Sequence, residues 1–380
     1  MKLKEQALEA LCALLVRERN AAALAALLRE LRPLFAAVPK ARTAKIVRQI
    51  VDRLGEIPGS GETQIAVCQE TVEWCRAEKR SFLRIRVQLR LCGLLLAAGR
   101  GAPALVVVNS VLGEVKRLDD KQLLVEVHLL ESRVHHALRN VPKARAALTA
   151  GRAAANSIYV GPELQAEIDV QAGTLSAEER DYRTGFSYFF EAFEGLNSLD
   201  DRAGATEAFK HMLMCKVMCE QPDDVVQLVN GKQGLKYAGR PLEAMRSVAQ
   251  AYKDRSLLAL ERVLGEFAAE LVGDALIKRH LGFLTDLLLE QNLLRLIEPF
   301  SCVEIAHVAA LIGLAEERVV DKLSQMVLDK KFAGTLDQGR GQLLVFAPGG
   351  ADKAYTAALG TMANLTTVVD LLHKRAGAGK

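Results

Sequence analysis

The sequence predicts a mostly helical fold: a right-handed α-solenoid of tetratricopeptide-like helix pairs, then a short module mixing helices with a hairpin, then a last helix. Three observations predict it. The chain has 380 residues, half of them hydrophobic but only 5% aromatic, a composition that favours close-packed helices over sheets, which lean on aromatic and β-branched side chains. Apolar residues recur at three- and four-residue steps through most of the length. Small or apolar residues that follow polar turns also recur at a spacing near forty, with Ala104, Ala144, Gly185 and Val225 standing 40, 41 and 40 apart.

Taken in order, the opening segment MKLKEQALEALCALLVRER carries Glu5 and Glu9 inside its apolar stretch and has no small-residue cleavage site, so no secretory leader is expected. Ala23 follows Arg19-Asn20 and lies 81 before Ala104, two steps of about forty, with the intervening turn obscured near Gly59-Ser60-Gly61. Between Leu123 and Ser157 the apolar positions Leu124, Val127, Leu130, Val134 and Leu138 give way to Ala144, Ala147 and Leu148. The break falls at Asn140-Val141-Pro142, where proline starts a helix. Helix pairs with a period of roughly 34–47 residues stack into a solenoid, because one pair cannot bury both its faces. This reading covers residues 1 to about 240.

The pattern changes after Pro299. Ser301-Cys302-Val303-Glu304 reads as a capping box opening a helix through Ile305, Val308, Ala309 and Ile312, closed near Gly313. Val319, Val320, Leu323, Met326 and Val327 continue at helical spacing to Lys330-Lys331, whose charges suit the negative end of the helix dipole. The period then becomes two: Phe332–Leu336 and Gln342–Phe346 flank Asp337–Gly341, a loop of hairpin length. Helix, helix, hairpin is the order of a winged helix. After Pro348-Gly349-Gly350 a last helix carries Tyr355, Leu359, Met362, Leu365, Val369 and Leu372 on one stripe, ahead of a tail at 375–380.

Several function classes are excluded. The longest uncharged stretch, Ala354–Val369, is 16 residues with five Thr or Asn, short of the roughly 20 apolar residues of a membrane span. Seven scattered cysteines form no disulfide framework and suit a reducing compartment. No phosphate-binding loop, dinucleotide fingerprint, serine elbow or HExxH is present, so neither an enzyme nor a cofactor is expected. A net charge of +4 names no polyanionic partner. The one metal candidate is His211-x3-Cys215-x3-Cys219, on which a zinc enzyme would have to rest. Its end ligands lie about 12 Å apart along a helix, too far for one ion, and buried thiols are the expectation. His135 and His136 point to different faces, and His128 and His307 are expected as core or boundary residues of helical stripes.

A basic cluster stands out: Arg76, Lys79, Arg80, Arg84, Arg86 and Arg90, with Glu78 the only acid among them. Together they suggest a positive ridge able to meet an acidic protein surface or phosphates. Only Trp74 and Phe82 offer base stacking, which disfavours single-stranded nucleic acid. The second helix of the winged-helix segment mixes Glu316, Glu317, Asp321 and Asp329 with Arg318, Lys322, Lys330 and Lys331, whereas a DNA reader needs a positive excess. Protein binding is the expectation.

A solenoid running into a winged helix is the layout of PCI-domain proteins, the scaffold subunits of the proteasome lid, the signalosome and the large translation initiation factor complex. The strings LLVEVHLLESRVHHALRNVPKARAAL, FSYFFEAFEGLNSLD, LLLEQNLLRLIEPFS and KLSQMVLDKKFAGTLDQGRGQLLVF closely resemble the non-ATPase regulatory subunit 11 family of the 26S proteasome lid. The resemblance runs over nearly the whole chain. It divides the chain into a solenoid at 1–185, a PCI domain at 186–350 whose winged helix is 301–350, and a C-terminal helix and tail at 351–380. It implies a non-catalytic scaffold of the cytoplasm and nucleus, needed for lid assembly in ubiquitin-dependent degradation. The implied partners are other PCI lid subunits, ATPase ring subunits and core-particle alpha subunits, with neither membrane nor nucleic acid.

In the family, winged-helix edges pack side by side and C-terminal helices gather in a bundle. On this sequence that implies an open edge at Gln342, Leu343, Leu344, Val345 and Phe346, extendable by a neighbour's strand. It also implies bundle entry through Leu359, Met362, Leu365, Val369 and Leu372, and a clamp on an acidic partner through Arg76–Arg90. The alternative is a signalosome or translation-initiation scaffold that touches RNA through the same basic ridge. Family members usually carry a further N-terminal extension, so a start at Met1 is expected to omit one helix pair. Residues 350–364 are richer in Gly and Ala than is usual for the family.

Overall fold

The computed structural model describes residues 2–346 and 353–377. The chain forms two compact units, one made of Met1–Ala249 with Ala269–Ile277, the other of Gln250–Ala268 with Lys278–Lys380.

The first unit is built on a period of twenty. Its helices are α1 (Lys2–Arg17), α2 (Ala21–Leu31), α3 (Lys40–Gly55), α4 (Gly61–Ala77), α5 (Ser81–Ala97), α6 (Gly101–Leu118), α7 (Lys121–Ala137), α8 (Val141–Ala155), α9 (Pro162–Glu178), α10 (Tyr182–Ser198), α11 (Arg202–Met218) and α12 (Pro222–Asn230), then the short α13 (Lys232–Lys236) and α14 (Arg240–Lys253). The forty-residue step of the sequence is therefore two helices, each of about four turns, with a joint after each. The recurrent small or apolar residue sits four positions beyond the helix N-cap. Ala104, Ala144, Gly185 and Val225 are all buried there. Two positions need correction. The equivalent of Ala104 in α2 is the buried Leu24, 80 residues earlier, and Ala23 is only half-buried. The obscured repeat is α4, where Ser60 is the N-cap and the buried Gln64 fills the recurrent position. The polar residue hid the repeat from an apolar search.

Most of the joints share one construction. In the α7–α8 joint, Asn140 N–H donates to His135 O and Arg139 N–H to His136 O, both at 2.9 Å, the paired bonds of a Schellman motif. Arg139 is left-handed at φ 62°, as are Arg19, Lys79, Asp119, Arg180, Asp200 and Glu220 at other joints. Side chains of Asn20, Asp120, Asn140, Asp181 and Asp201 then cap the next helix by accepting an amide three residues on. Polar rungs tie each helix to the next but one: Arg86–Glu126 and Arg100–Glu62 at 2.6 Å, Arg133–Glu167 at 3.0 Å and His136–Glu178 at 3.1 Å. Phe189, Phe193 and Phe209 fill the core of α9–α11. Gly173 is required there, because a Cβ on it would stand 2.9 Å from the Phe189 ring.

In the second unit, α15 (Leu257–Glu266) and the end of α17 (Ala275–Ile297) precede β1 (Cys302–Glu304), α18 (Ile305–Ile312), α19 (Glu316–Leu328), β2 (Gly334–Asp337), β3 (Gln342–Val345) and α20 (Lys353–Gly377); the five-residue α16 (Ala268–Val272) lies almost wholly in the first unit. The sheet is antiparallel in the order β1-β3-β2, with Val303 and Leu336 both opposite Leu343. Leu343, Val303, Ile305, Val308, Val319, Leu323 and Met326 close a small core with Leu289 and Leu293 of α17.

Two expectations are overturned here. Ser301–Glu304 is not a capping box. Its residues spend their backbone groups on the sheet, with Val345 N–H donating to Ser301 O at 2.9 Å, and α18 starts at Ile305 without a side-chain cap. Gln342–Val345 is not an open edge, because β3 is the central strand, bonded on both sides. Lys330-Lys331 follow the end of α19 at Leu328 and form its stop, with Lys330 N–H donating to Val327 O at 3.1 Å and Lys331 N–H to Met326 O at 3.0 Å, Lys330 left-handed at φ 55° and Lys331 paired with Glu290. The hairpin and the αL stop at Gly313 form as expected. The Pro348–Gly350 turn and the end of the tail lie outside the described residues. Among the described residues no helix is long and apolar enough to cross a membrane.

Candidate interaction surfaces

The basic cluster folds onto α4, α5 and their joint, and there it is largely neutralised. Arg76 pairs with Glu73 at 2.9 Å, Arg86 with Glu126 at 2.6 Å and Arg84 with Glu114. Arg80 lies flat over the Trp74 ring, 4.8 Å from its centroid, with its side chain only 9% exposed and Glu78 3.9 Å away. Lys79 and Arg90 are exposed and hold no ion pair among the described residues. The six cations are therefore not one positive ridge. Alternation of faces along α5 sends Arg84 and Arg86 to different neighbouring helices, and the solenoid supplies an acid to each. The sequence did carry this signal for Arg86 and Glu126, which stand one forty-residue period apart, while Arg84 and Glu114, 30 apart, gave none.

On the sheet, Leu343 is buried and leaves no surface for a partner, whereas Leu344 and Phe346 are exposed beside the exposed Cys302. Strands β1 and β2 carry the outer edges.

Helix α20 buries none of its described side chains. Tyr355, Leu359, Met362, Leu365, Val369 and Leu372 are 52–68% exposed, and so are Val368 and Leu371, which the single stripe omitted. Apolar side chains on opposite sides of one helix need cover from more than one neighbour.

The His211 group resolves into structural contacts. His211 Nε2 lies 2.6 Å from Asp274 Oδ2 and its ring packs 5.2 Å from Phe189, while Cys215 is buried and Cys219 half-buried. Burial works to raise the Asp274 carboxyl, but the His211 hydrogen bond and charge, with Lys210, hold it well below the usual carboxylate range. Burial pushes Cys215 up, with Cys219 adding to the shift, and pushes Cys68 and Cys92 up to about 11. Among the described residues no three His, Cys, Asp or Glu side chains gather to hold a metal ion. His135 is buried, and His128 pairs with Glu131 at 2.9 Å. His307, expected in a core or boundary, is exposed because it lies on the face of α18 away from Ile305 and Val308.

Known families match the chain in three segments. The 26S proteasome regulatory subunit RPN6 N-terminal domain matches residues 1–98, the PCI domain 264–347, and the 26S proteasome subunit RPN6 C-terminal helix domain 351–377. A 26S proteasome non-ATPase regulatory subunit 11 homolog from Arabidopsis thaliana is 54% identical over 375 residues, covering 99% of this chain and 89% of that protein. The chain belongs to the family of 26S proteasome non-ATPase regulatory subunit 11. The Dictyostelium discoideum relative of that name is 48% identical over 98% of this chain and 90% of its own. The 26S proteasome regulatory subunit RPN6 of Saccharomyces cerevisiae is 43% identical over 89% and 79%. The family's C-terminal helix domain coincides with α20, and its N-terminal domain takes in α1 to α5 and hence the whole basic cluster.

Proposed function

We propose that this chain is a non-catalytic structural subunit of the proteasome regulatory particle, joining lid, ATPase ring and core particle for ubiquitin-dependent degradation in the cytoplasm and nucleus. The observation that carries the reading is α20, a helix of 25 residues whose described apolar side chains are all left to solvent. Burying a Leu or Met side chain is worth roughly 1.5–3 kcal/mol, so several of them supply a strong drive to enter a helical bundle with other PCI subunits. The sheet offers a second contact through the edges of β1 and β2, with Leu344 and Phe346 on the adjoining face. The exposed Lys79 and Arg90 remain available to acidic surfaces of ATPase or core-particle alpha subunits, where charge tunes association rate and specificity more than affinity. Neutralisation of Arg76, Arg84 and Arg86 removes the support for RNA contact. The test is Leu359→Ser with Met362→Ser and Leu365→Ser: the triple variant is expected to fold and to be lost from the particle. The purified chain is expected to show no peptidase, deubiquitinase or ATPase activity, and metal-dependent ubiquitin cleavage by it would contradict the reading.

A further inference from the structure

Five buried side-chain polar atoms without a hydrogen-bond partner come from four residues of one neighbourhood: Arg32 Nη2, Arg80 Nε and Nη1, Arg84 Nε and Gln88 Oε1. Four of the five are guanidinium nitrogens, so what is missing is acceptors. The acids nearby do not supply them. Glu114 is taken by Arg84 Nη2, Glu78 faces Arg80 Nη2 at 3.9 Å, and Glu70 is held in a two-pronged bond by Arg29 at 2.6 and 2.9 Å, leaving Arg32 Nη2 3.5 Å away without a hydrogen bond. Arg80, the N-cap of α5, is followed at four-residue steps by Arg84 and Gln88, which puts the three on one face of that helix, and Arg80 lies over Trp74. Arg32, Trp74 and Gln88 also line an open cleft of about 990 Å³ beside α4 and α6, which gives a route in from solvent.

Buried donors are almost always satisfied, and each exception calls for an unseen acceptor. A water molecule offers two lone pairs and no charge. An oxyanion offers several acceptor sites, and guanidinium groups match its geometry in forked, charge-assisted bonds. We propose that Arg32, Arg80 and Arg84 form a site for a phosphate-type oxyanion, entered through the cleft beside Trp74. The site is independent of the chain's place in an assembly. It lies on α5, the joint before it and the end of α2, so an ion there would tie α2 to α5.

Trp74 is the only tryptophan in the chain and lies under Arg80, so its fluorescence reports the site directly. Inorganic phosphate is titrated into the full chain at constant ionic strength against chloride. The expected result is a saturable change in Trp74 emission, with the midpoint weakened at least tenfold in Arg32→Gln and in Arg84→Gln and unchanged in the remote Arg139→Gln. Circular dichroism of each variant checks that it folds, and two arginine variants keep the test usable if one does not. Emission that responds to phosphate no more than to chloride would overturn the site and leave water as the acceptor. Undiminished binding in folded Arg32→Gln and Arg84→Gln would also overturn it.

Discussion

At the scale of single residues, the joints hold the least comfortable backbone in the molecule. A non-glycine residue in the left-handed region costs about 1–2 kcal/mol, and here charged residues occupy that position at one joint after another. Arg139 is exposed and has no ion pair among the described residues. Arg139→Gly is expected to stabilise the chain by about 1 kcal/mol, the relief of strain being offset in part by the freedom glycine gains when unfolded. The check is a higher denaturation midpoint with the same denaturant slope.

Asp274 makes the opposite kind of prediction. Its carboxyl is held below its ordinary value in the folded chain, so its contribution is present above the unfolded value near pH 4 and is lost as pH falls below it. Asp274→Asn keeps an oxygen to accept from Leu276 N–H, as Asp274 does at 2.9 Å, but loses the charge facing His211. The stability gap between wild type and variant should narrow as pH falls below about 4. A gap that does not change with pH would exclude the ionic contribution. The thiols divide just as sharply: Cys12, Cys68, Cys75, Cys92 and Cys215 are buried, Cys219 is half-buried and Cys302 is exposed. A thiol reagent is expected to modify Cys302 first in the native chain, with the five buried thiols reacting only on unfolding.

At the scale of elements, legibility followed the length of the signal. The solenoid was readable because its period repeats many times, so a single exception such as Gln64 in α4 obscured one repeat and not the pattern. The winged-helix segment was readable as an order of elements, but its sheet was not. β1 is three residues long, too short to show alternation, and Ser301 with Glu304 imitates a helix start. Without β1, β3 is left looking like an edge. The polar rungs lie between, since their sequence offset near forty is visible only once the period is known. Helix α20 was legible as an apolar stripe, and only the structure showed apolar side chains on its other sides too. Because nothing among the described residues covers Leu359, Met362 and Leu365, replacing all three with Ser should leave the thermal midpoint of the isolated protein within about 1 °C of wild type. A large drop would mean that α20 packs on its own chain instead.

At the scale of the whole molecule, a long solenoid tied by joints and polar rungs, a small module with a three-stranded sheet, and an uncovered helix together describe a part made to be built into something larger. The family places that larger body as the proteasome regulatory particle. The most direct test is affinity purification of the tagged chain from its own cells under ATP and low salt, beside the Leu359, Met362 and Leu365 to Ser variant, with co-purifying proteins identified by mass spectrometry. The account predicts that the wild type recovers lid, ATPase and core-particle subunits and that the variant loses them while remaining folded. Equal recovery by the variant, or recovery of ribosomal or RNA-processing proteins by the wild type, would contradict it.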